Sequence, residues 1–336
     1  VLTQLAQRYF ADIDTEMRTV VSAAPEAPGF ALMLRYPLGW VDADGNPYTQ
    51  STGKRIRPLV LLLCCEAVGG DWRSALPAAA AVELLHNFTL LHDDIQDGSP
   101  LRHGRPTVWK IWGRANAINA GDALFTLAYC ALQRLENTTP ALTLLQIWRV
   151  FNETMLELTR GQHLDMRFEQ QPSVSVDEYI SMIRGKTAAL LAACAQIGAL
   201  VGSQNPAQAH HFAEFGLNLG IAFQIHDDIL GIWGDPKVTG KSAATDILAK
   251  KKSLPVLYGL AQSQALHEVY MRPRFRQADV REAISLLDET GAREYAITQE
   301  NEFFQRALSS LEQSGTVGEA GSQLKALASW LFQRDY

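Results

Sequence analysis

A surplus of positive charge is missing from this sequence: 30 Lys and Arg stand against 36 Asp and Glu, for a net charge of −6. Without a basic face there is no general attraction to a nucleic-acid backbone, which argues against that class of partner. Small anionic ligands stay open, because a few clustered Lys and Arg can hold a phosphate on an acidic protein. Cysteine is scarce. Cys64, Cys65, Cys130 and Cys194 show no zinc spacing and lie in apolar stretches, so they read as buried, reduced thiols of a cytoplasmic protein. No Pro/Ser/Gly-rich linker and no short-period repeat divides the chain, so residues 1–336 read as one domain. Neither a signal-peptide pattern nor an apolar run of bilayer length is expected. Strand-like alternation bounded by hairpin turns is also hard to find.

What the chain has is helical periodicity and, at 47% hydrophobic residues, enough apolar mass for a sizeable core. Helices are expected over 1–23, 58–69, 74–97, 107–113, 119–136, 140–168, 176–203, 207–233, 253–263, 280–287, 291–313 and 317–332. Pro58 and Pro140 stand near helix starts, where a missing N–H costs little. Gly98, Gly202 and Gly234 are expected just beyond helix ends. The segments 74–95 and 187–201 are apolar nearly all round, the mark of central helices wrapped by others. The expected fold is all-α, a single large helical bundle around a central cavity. Two polar stretches, 37–53 and 233–252, flank charged motifs and read as active-site loops.

The strongest motif is Leu90-Leu91-His92-Asp93-Asp94-Ile95-Gln96-Asp97. Asp93 and Asp97, four apart, point the same way on a helix, with Asp94 beside them. A second cluster, Gln224-Ile225-His226-Asp227-Asp228, follows an apolar run. Both lie toward the C-terminal ends of their helices, where the helix dipole disfavours carboxylates. Cations would relieve that repulsion, and hard oxygen donors of this kind suit Mg²⁺ bound together with substrate phosphate. One such cluster alone is as readily a solvated acidic face; two matched clusters on apolar helices favour metal.

Basic residues narrow the chemistry. Lys54 and Arg57 in Gly53-Lys54-Arg55-Ile56-Arg57-Pro58 stand three apart ahead of an apolar helix, so both charges can meet one phosphate. Arg102 and Arg105 follow the first acidic cluster, Lys186-Thr187 interrupts an apolar helix, and Lys241 and Lys250-Lys251-Lys252 follow the second cluster. Each basic item alone is most simply a solvated charge. Two metal-type clusters with two groups of cations imply two diphosphates.

In order along the chain, the motifs GKRIRP, LLHDDIQD, LRHGRPT, GDALF, GQHLD, GKT, FQIHDDIL and GKSAATDILAKKKSLP resemble those of the polyprenyl synthetase family, the trans-isoprenyl diphosphate synthases. The resemblance implies an Mg²⁺-dependent transferase of the isoprenoid synthase fold. Such an enzyme joins an allylic diphosphate to isopentenyl diphosphate by ionisation, condensation and elimination, releasing pyrophosphate. It implies three Mg²⁺ ions with substrate bound, held directly by Asp93, Asp97 and Asp227 with Asp94 and Asp228 in support. Arg102, Lys186, Thr187, Gln224 and Lys241 match positions that hold the allylic diphosphate. Lys54, Arg57 and His86 match the isopentenyl diphosphate pocket. Gln162 and Asp165 match a pair near the reacting carbons, and Lys251 a loop lysine near the metals. A homodimer is the family expectation.

Two departures stand out. His103 takes the place of a second arginine facing isopentenyl diphosphate; a charged His103, or Arg105 two residues on, would substitute. Gly231 takes the last place of the second acidic motif, which usually reads DDxxD. The segment 31–52 also looks longer than usual, with no assignable task. Chain length is expected to be set on the first acidic helix by Phe88, five residues before Asp93, with small Thr89 and Leu85 beside it. That combination favours geranylgeranyl diphosphate, then farnesyl diphosphate. The rival reading is a class I terpene synthase ionising one diphosphate, which would have no need of Lys54, Arg57 and His86. A non-catalytic partner subunit ranks third, since neither acidic cluster is lost. His163, His210, His211 and His267 have no matched partners, and Arg334 is a weak candidate for isopentenyl diphosphate.

Overall fold

The computed structural model describes residues 1–48, 53–234, 245–272, 274–316 and 318–332, and these are almost wholly helical. Lys241 and Arg334 lie outside the described residues. The chain forms two compact units, residues 1–148 with 197–205, and residues 149–196 with 206–336.

The first unit is built on α1 (Leu2–Ser22), α2 (Phe30–Arg35), α3 (Ile56–Ala67), α4 (Leu76–Gln96), α5 (Val108–Trp112) and α6 (Arg114–Gln133). Helix α4 is its axis. Ala78, Ala79, Ala80, Ala81, Val82, Leu84 and Leu85 are fully buried, and α1, α3 and α6 all pack against it. Small alanines on every side let three helices approach one rod, which is why this segment looks apolar all round. Gly202, expected as a helix terminator, instead lies within the helix Ala189–Ser203. A Cβ there would stand 2.5 Å from the Cys65 carbonyl oxygen, so the glycine serves a close approach to α3.

The second unit contains α7 (Ala141–Gln170) from residue 149 onward, α8 (Val176–Ile183), a π-helical turn (Arg184–Ala188) continuing into α9 (Ala189–Ser203) as far as residue 196, and α10 (Pro206–Trp233). Ser175 and Glu178 close a capping box at the start of α8. Helix α10 packs along Ala292–Gln313 and the π-helical turn. Tyr179, Ile183, Ile221, Ile225, Ile229 and Leu254 form the core beneath the second acidic cluster.

Several sequence expectations are corrected. The short helices Phe30–Arg35, Thr245–Leu248 and Gln264–Tyr270 were unmarked, being too short for a 3.6-residue period to register. A two-stranded hairpin, Leu101–Arg102 with Arg105–Pro106, was likewise missed. Cys130 is exposed, while Cys64, Cys65 and Cys194 are buried; burial pushes the Cys65 thiol up to about 12. Two runs, Trp72–Gln96 and Val176–Ser203, are long and apolar enough to cross a bilayer, contrary to the reading that none exists. They are mostly buried within the fold, 56% and 67% of their apolar windows, as core helices are.

Candidate active site

In the first unit, α4 delivers the first acidic cluster. The Asp97 N–H donates to the Asp93 carbonyl at 2.9 Å, and Asp97 keeps right-handed helical dihedrals. The helical turn therefore extends through Asp97, and the two carboxylates leave the helix on one side. Asp94 points elsewhere and is buried. Arg102 Nε donates to both its oxygens, at 2.9 and 3.0 Å, while Nη2 reaches Asp93 Oδ2 at 3.4 Å. Burial pushes the Asp94 carboxyl upward, and the Arg102 guanidinium opposes that shift. Arg102 sits on the hairpin, whose turn residues His103 (φ 51°) and Gly104 (φ 75°) both adopt the left-handed conformation. Two such residues make the tight turn whose twist matches paired strands.

Arg105, opposite Arg102 in that hairpin, is committed to the protein. Its Nη2 donates to the Val41 carbonyl at 2.8 Å and its Nη1 to the Tyr36 carbonyl at 3.3 Å. Its guanidinium lies against the Tyr36 and Tyr48 rings, 4.0 and 4.2 Å from their centroids. The Tyr36 hydroxyl donates to the Pro106 carbonyl at 2.7 Å. Two of the N–H donors of Arg105, one of the two candidates for the place of the second arginine, are thus spent on backbone carbonyls. The segment without an assigned task turns out to be the seat of this arginine.

The basic string before α3 is divided. Arg55, in the left-handed region (φ 46°), pairs with Asp14 at 2.7 Å. Arg57 Nη1 lies 3.1 Å from His86 Nε2, and Lys54 is exposed. Burial foremost, then the charges of Arg57, Arg102 and His103, hold His86 well below the usual histidine range. A neutral imidazole accepts the Arg57 N–H through Nε2 and so aims the guanidinium. Phe88 stands in a row of rings: 5.1 Å to Phe125, then Phe125 to Tyr129 at 5.1 Å and Tyr129 to Trp148 at 5.5 Å. Leu85 is fully buried, and the Thr89 hydroxyl donates back to the His86 carbonyl at 2.7 Å.

In the second unit, glycines set the geometry. A Cβ on Gly185 would stand 2.6 Å from the Glu157 carbonyl oxygen and 3.1 Å from the Gly161 Cα, so α7 and the π-helical turn meet backbone to backbone. The approach brings Asp165 against Lys186, whose ammonium donates to its carboxylate. Lys186, which interrupts an otherwise apolar stretch, thus has an anionic partner. On α10, Gly216 and Gly220 press against Leu191 and Ala188. Gln224 and Asp228 continue that four-residue ridge. Thr187 Oγ1 donates to Gln224 Oε1 at 2.7 Å, and Gln224 Nε2 donates to Asp228 Oδ1 at 3.3 Å.

Asp228 is fully buried. The Tyr179 hydroxyl and the Leu254 N–H (3.2 Å) donate to its Oδ2, and Lys251 Nζ lies 3.4 Å from its Oδ1. Burial pushes Asp228 upward, opposed by the Lys251 charge and by the Tyr179 and Leu254 hydrogen bonds. Burial also works against the Lys251 charge, but Asp228 and Asp246 outweigh it and hold the ammonium above its ordinary pKa. Asp227, one residue away, projects about 100° around the helix from that buried side.

Tyr179 and Asp246 were not singled out from sequence. Asp246 stood inside a quoted motif, whereas nothing marked Tyr179, since its role arises only when α8 packs beside α10. Among the described residues, no three His, Cys, Asp or Glu side chains converge on one point. The donor set is instead a pair of carboxylates on one face of α4, beside an inner aspartate already met by Arg102. It fits Mg²⁺, which takes one or two carboxylates and completes its shell with water and phosphate oxygens.

Comparison with known proteins bears on this arrangement. The polyprenyl synthetase family model matches residues 40–287. The chain is 40% identical over 291 residues to a (2E,6E)-farnesyl diphosphate synthase of Mycobacterium bovis, covering 87% of this chain and 72% of that protein. It is 40% identical over 312 residues to a geranylgeranyl diphosphate synthase of Mycobacterium tuberculosis, covering 91% and 88%. The crystal structure of a polyprenyl synthetase from Streptomyces coelicolor A3(2) matches with a TM-score of 0.91 at 35% identity, over 98% of this chain and 99% of that one.

Proposed function

Because this chain belongs to the polyprenyl synthetase family, we propose that it is a trans-prenyltransferase joining an allylic diphosphate to isopentenyl diphosphate, with geranylgeranyl diphosphate the favoured product and farnesyl diphosphate next. The observation that carries the site reading is a pattern common to both acidic motifs. The inner aspartate, Asp94 or Asp228, is buried and engaged by protein donors, while Asp93, Asp97 and Asp227, the first also reached by Arg102 at 3.4 Å, occupy the positions assigned to Mg²⁺. Asp94 and Asp228 then position their neighbours rather than bind metal themselves.

Bound Mg²⁺ would supply Lewis-acid stabilisation of the departing pyrophosphate. Arg102, Lys186, Thr187, Gln224 and Lys241 hold the allylic diphosphate, with Lys186 kept in place beforehand by Asp165. Lys54, Arg57 and His103 hold isopentenyl diphosphate, and neutral His86 orients Arg57. The oxygens of Thr187 and Gln224, fixed by their mutual hydrogen bond, offer negative dipoles to the allylic cation without reorganising. The proton lost after condensation passes to pyrophosphate.

A homodimer is part of the proposal. Leu142, Leu145 and Leu156 on α7 are 72%, 67% and 72% exposed, and Leu145 and Leu156 lie three turns apart on one face. The buried, unbridged Cys64, Cys65 and Cys194 support a cytoplasmic location. The test incubates the protein with Mg²⁺ and geranyl diphosphate, with and without labelled isopentenyl diphosphate. Labelled prenyl diphosphates are expected only with both substrates, and none in excess chelator. Hydrocarbon or alcohol from geranyl diphosphate alone would favour the class I terpene synthase instead.

A further inference from the structure

The segment that follows α2 is a built element rather than slack chain. The Tyr48 N–H donates to the Trp40 carbonyl at 3.0 Å and the Asp42 N–H to the Asn46 carbonyl at 2.9 Å, on either side of a bridge between Val41 and Pro47. The Asp42 carboxylate closes the loop, accepting from the Asp44 and Asn46 N–H groups at 3.0 and 2.9 Å. Tyr36, Leu38 and Trp40 are buried and seat it on the first unit. On one side it meets α1. Trp40 Nε1 donates to Asp14 Oδ1 at 3.2 Å, and the same oxygen takes Arg55 Nη2 at 2.7 Å. Arg18, one turn along α1, lies 4.3 Å from the Trp40 ring centroid. Arg55 is held in a left-handed conformation (φ 46°) that a residue with a Cβ disfavours, and Lys54 and Arg57 flank it. On the other side the segment meets the hairpin. Arg105 donates to the Tyr36 and Val41 carbonyls and the Tyr36 hydroxyl to the Pro106 carbonyl, while His103 stands at the turn two residues before Arg105. One element thus touches the supports of Lys54 with Arg57 and of His103, and the charges of Arg57 and His103 both reach His86.

We propose that residues 36–48 act as a brace that fixes the spacing between Lys54 with Arg57 on one side and His103 on the other, and so sets the affinity for isopentenyl diphosphate. Asp14, Trp40 and Arg105 are its positioning residues and act through the cations they support, not on substrate. The inference rests on the assignment of those three cations to isopentenyl diphosphate. A diphosphate is a rigid, narrow anion, and charge-assisted hydrogen bonds to it weaken when their donors drift apart. Two stretches of chain that meet only at the ligand would have to be ordered by it; a brace orders them beforehand.

The test compares the KM for each substrate, kcat, and the calorimetric Kd for isopentenyl diphosphate alone, across three variants. Asp14→Asn keeps the shape and removes the charge, and is expected to raise the KM and Kd for isopentenyl diphosphate about tenfold, the scale of one charge-assisted hydrogen bond. Trp40→Phe keeps a ring beneath Arg18 and removes the N–H, for about a fivefold rise. Arg105→Gln should match Asp14→Asn. In all three, kcat and the KM for geranyl diphosphate should stay within about twofold of the parent, the split that marks a loss confined to one substrate. Equal rises for both substrates, or a lower melting temperature with both KM values unchanged, would mean that the segment only stabilises the fold, and the proposal is overturned. A rise in Arg105→Gln with none in Asp14→Asn or Trp40→Phe would make Arg105 a direct ligand and overturn the brace. The parent protein separates the failures. If it binds isopentenyl diphosphate, and Arg57→Ala abolishes that binding, unchanged variants sink this inference alone. If the parent neither binds nor consumes isopentenyl diphosphate, the assignment of the three cations falls with it.

Discussion

The two acidic clusters share a sequence pattern but are held by different physics. On α4 the inner aspartate, Asp94, is met by a full charge, the forked guanidinium of Arg102 on an adjoining hairpin. On α10 the inner aspartate, Asp228, is fully buried and met mostly by dipoles, the Tyr179 hydroxyl, the Gln224 amide and the Leu254 N–H, with Lys251 at its edge. The first arrangement is an ion pair between a partly exposed guanidinium and a buried carboxylate. The second is a buried hub joining α8, α10 and the helix Leu254–Gln262. The same two letters therefore serve positioning in one unit and structural integrity as well in the other.

The largest effects should be shared by both clusters. Asp93→Ala and Asp227→Ala are each expected to lower kcat by about 10²–10³-fold, as loss of preorganised charge stabilisation does, with little change in unfolding free energy. Pyrophosphate release measures the first and urea titration the second. A large loss in one variant only would break the symmetry of the reading.

Stability should separate the clusters. Asp228→Ala leaves a buried hydroxyl and a buried N–H without their acceptor and takes one of two carboxylates from the Lys251 ammonium, and is expected to cost about 3–5 kcal/mol. Asp94→Ala abandons only a partly exposed arginine and should cost about 1–3 kcal/mol. Equal losses in urea would mean that burial is not what distinguishes them.

The helices also differ below their clusters. Phe88 lies five residues before Asp93, whereas the matching place before Asp227 is the small Ala222. Phe88→Ala is expected to lengthen the product by at least one isoprene unit, read by chromatography of the dephosphorylated alcohols. Unchanged products would leave Phe88 as a member of the ring row with Phe125 and nothing more.

The smallest effect concerns pH. His86 sits below its ordinary value of 6.5 in the folded state. The unfolded chain therefore takes up a proton that the folded one refuses, and stability falls as pH drops below that value. His86→Gln should remove about 1 kcal/mol of this dependence between about pH 7.5 and 5.5. Asp228 runs the other way. Its raised value makes the ionised form the costlier one in the fold, so its contribution declines as pH rises through the carboxylate range.

Much of the site was legible along the chain. The four-residue spacing of Asp93 and Asp97 follows from helix geometry, and Lys186 stands out through the cost of placing charge among apolar neighbours. That Arg105 donates to the Tyr36 and Val41 carbonyls could not be read locally, because those residues lie over sixty positions earlier. The hairpin beneath it escaped notice because two-residue strands carry no alternation to detect.

By itself, the sequence determined the all-α class, the two acidic helix ends and the basic residues that accompany them, since these depend on periodicity and spacing within a few turns. Tertiary structure alone decided that Arg102 meets Asp94, that the Tyr179 hydroxyl and the Leu254 N–H meet Asp228, and that Arg105 serves a clamp. Those outcomes depend on which backbone comes within hydrogen-bond reach of which side chain. Glycine contacts and distant carbonyls settle that, and no local pattern encodes it.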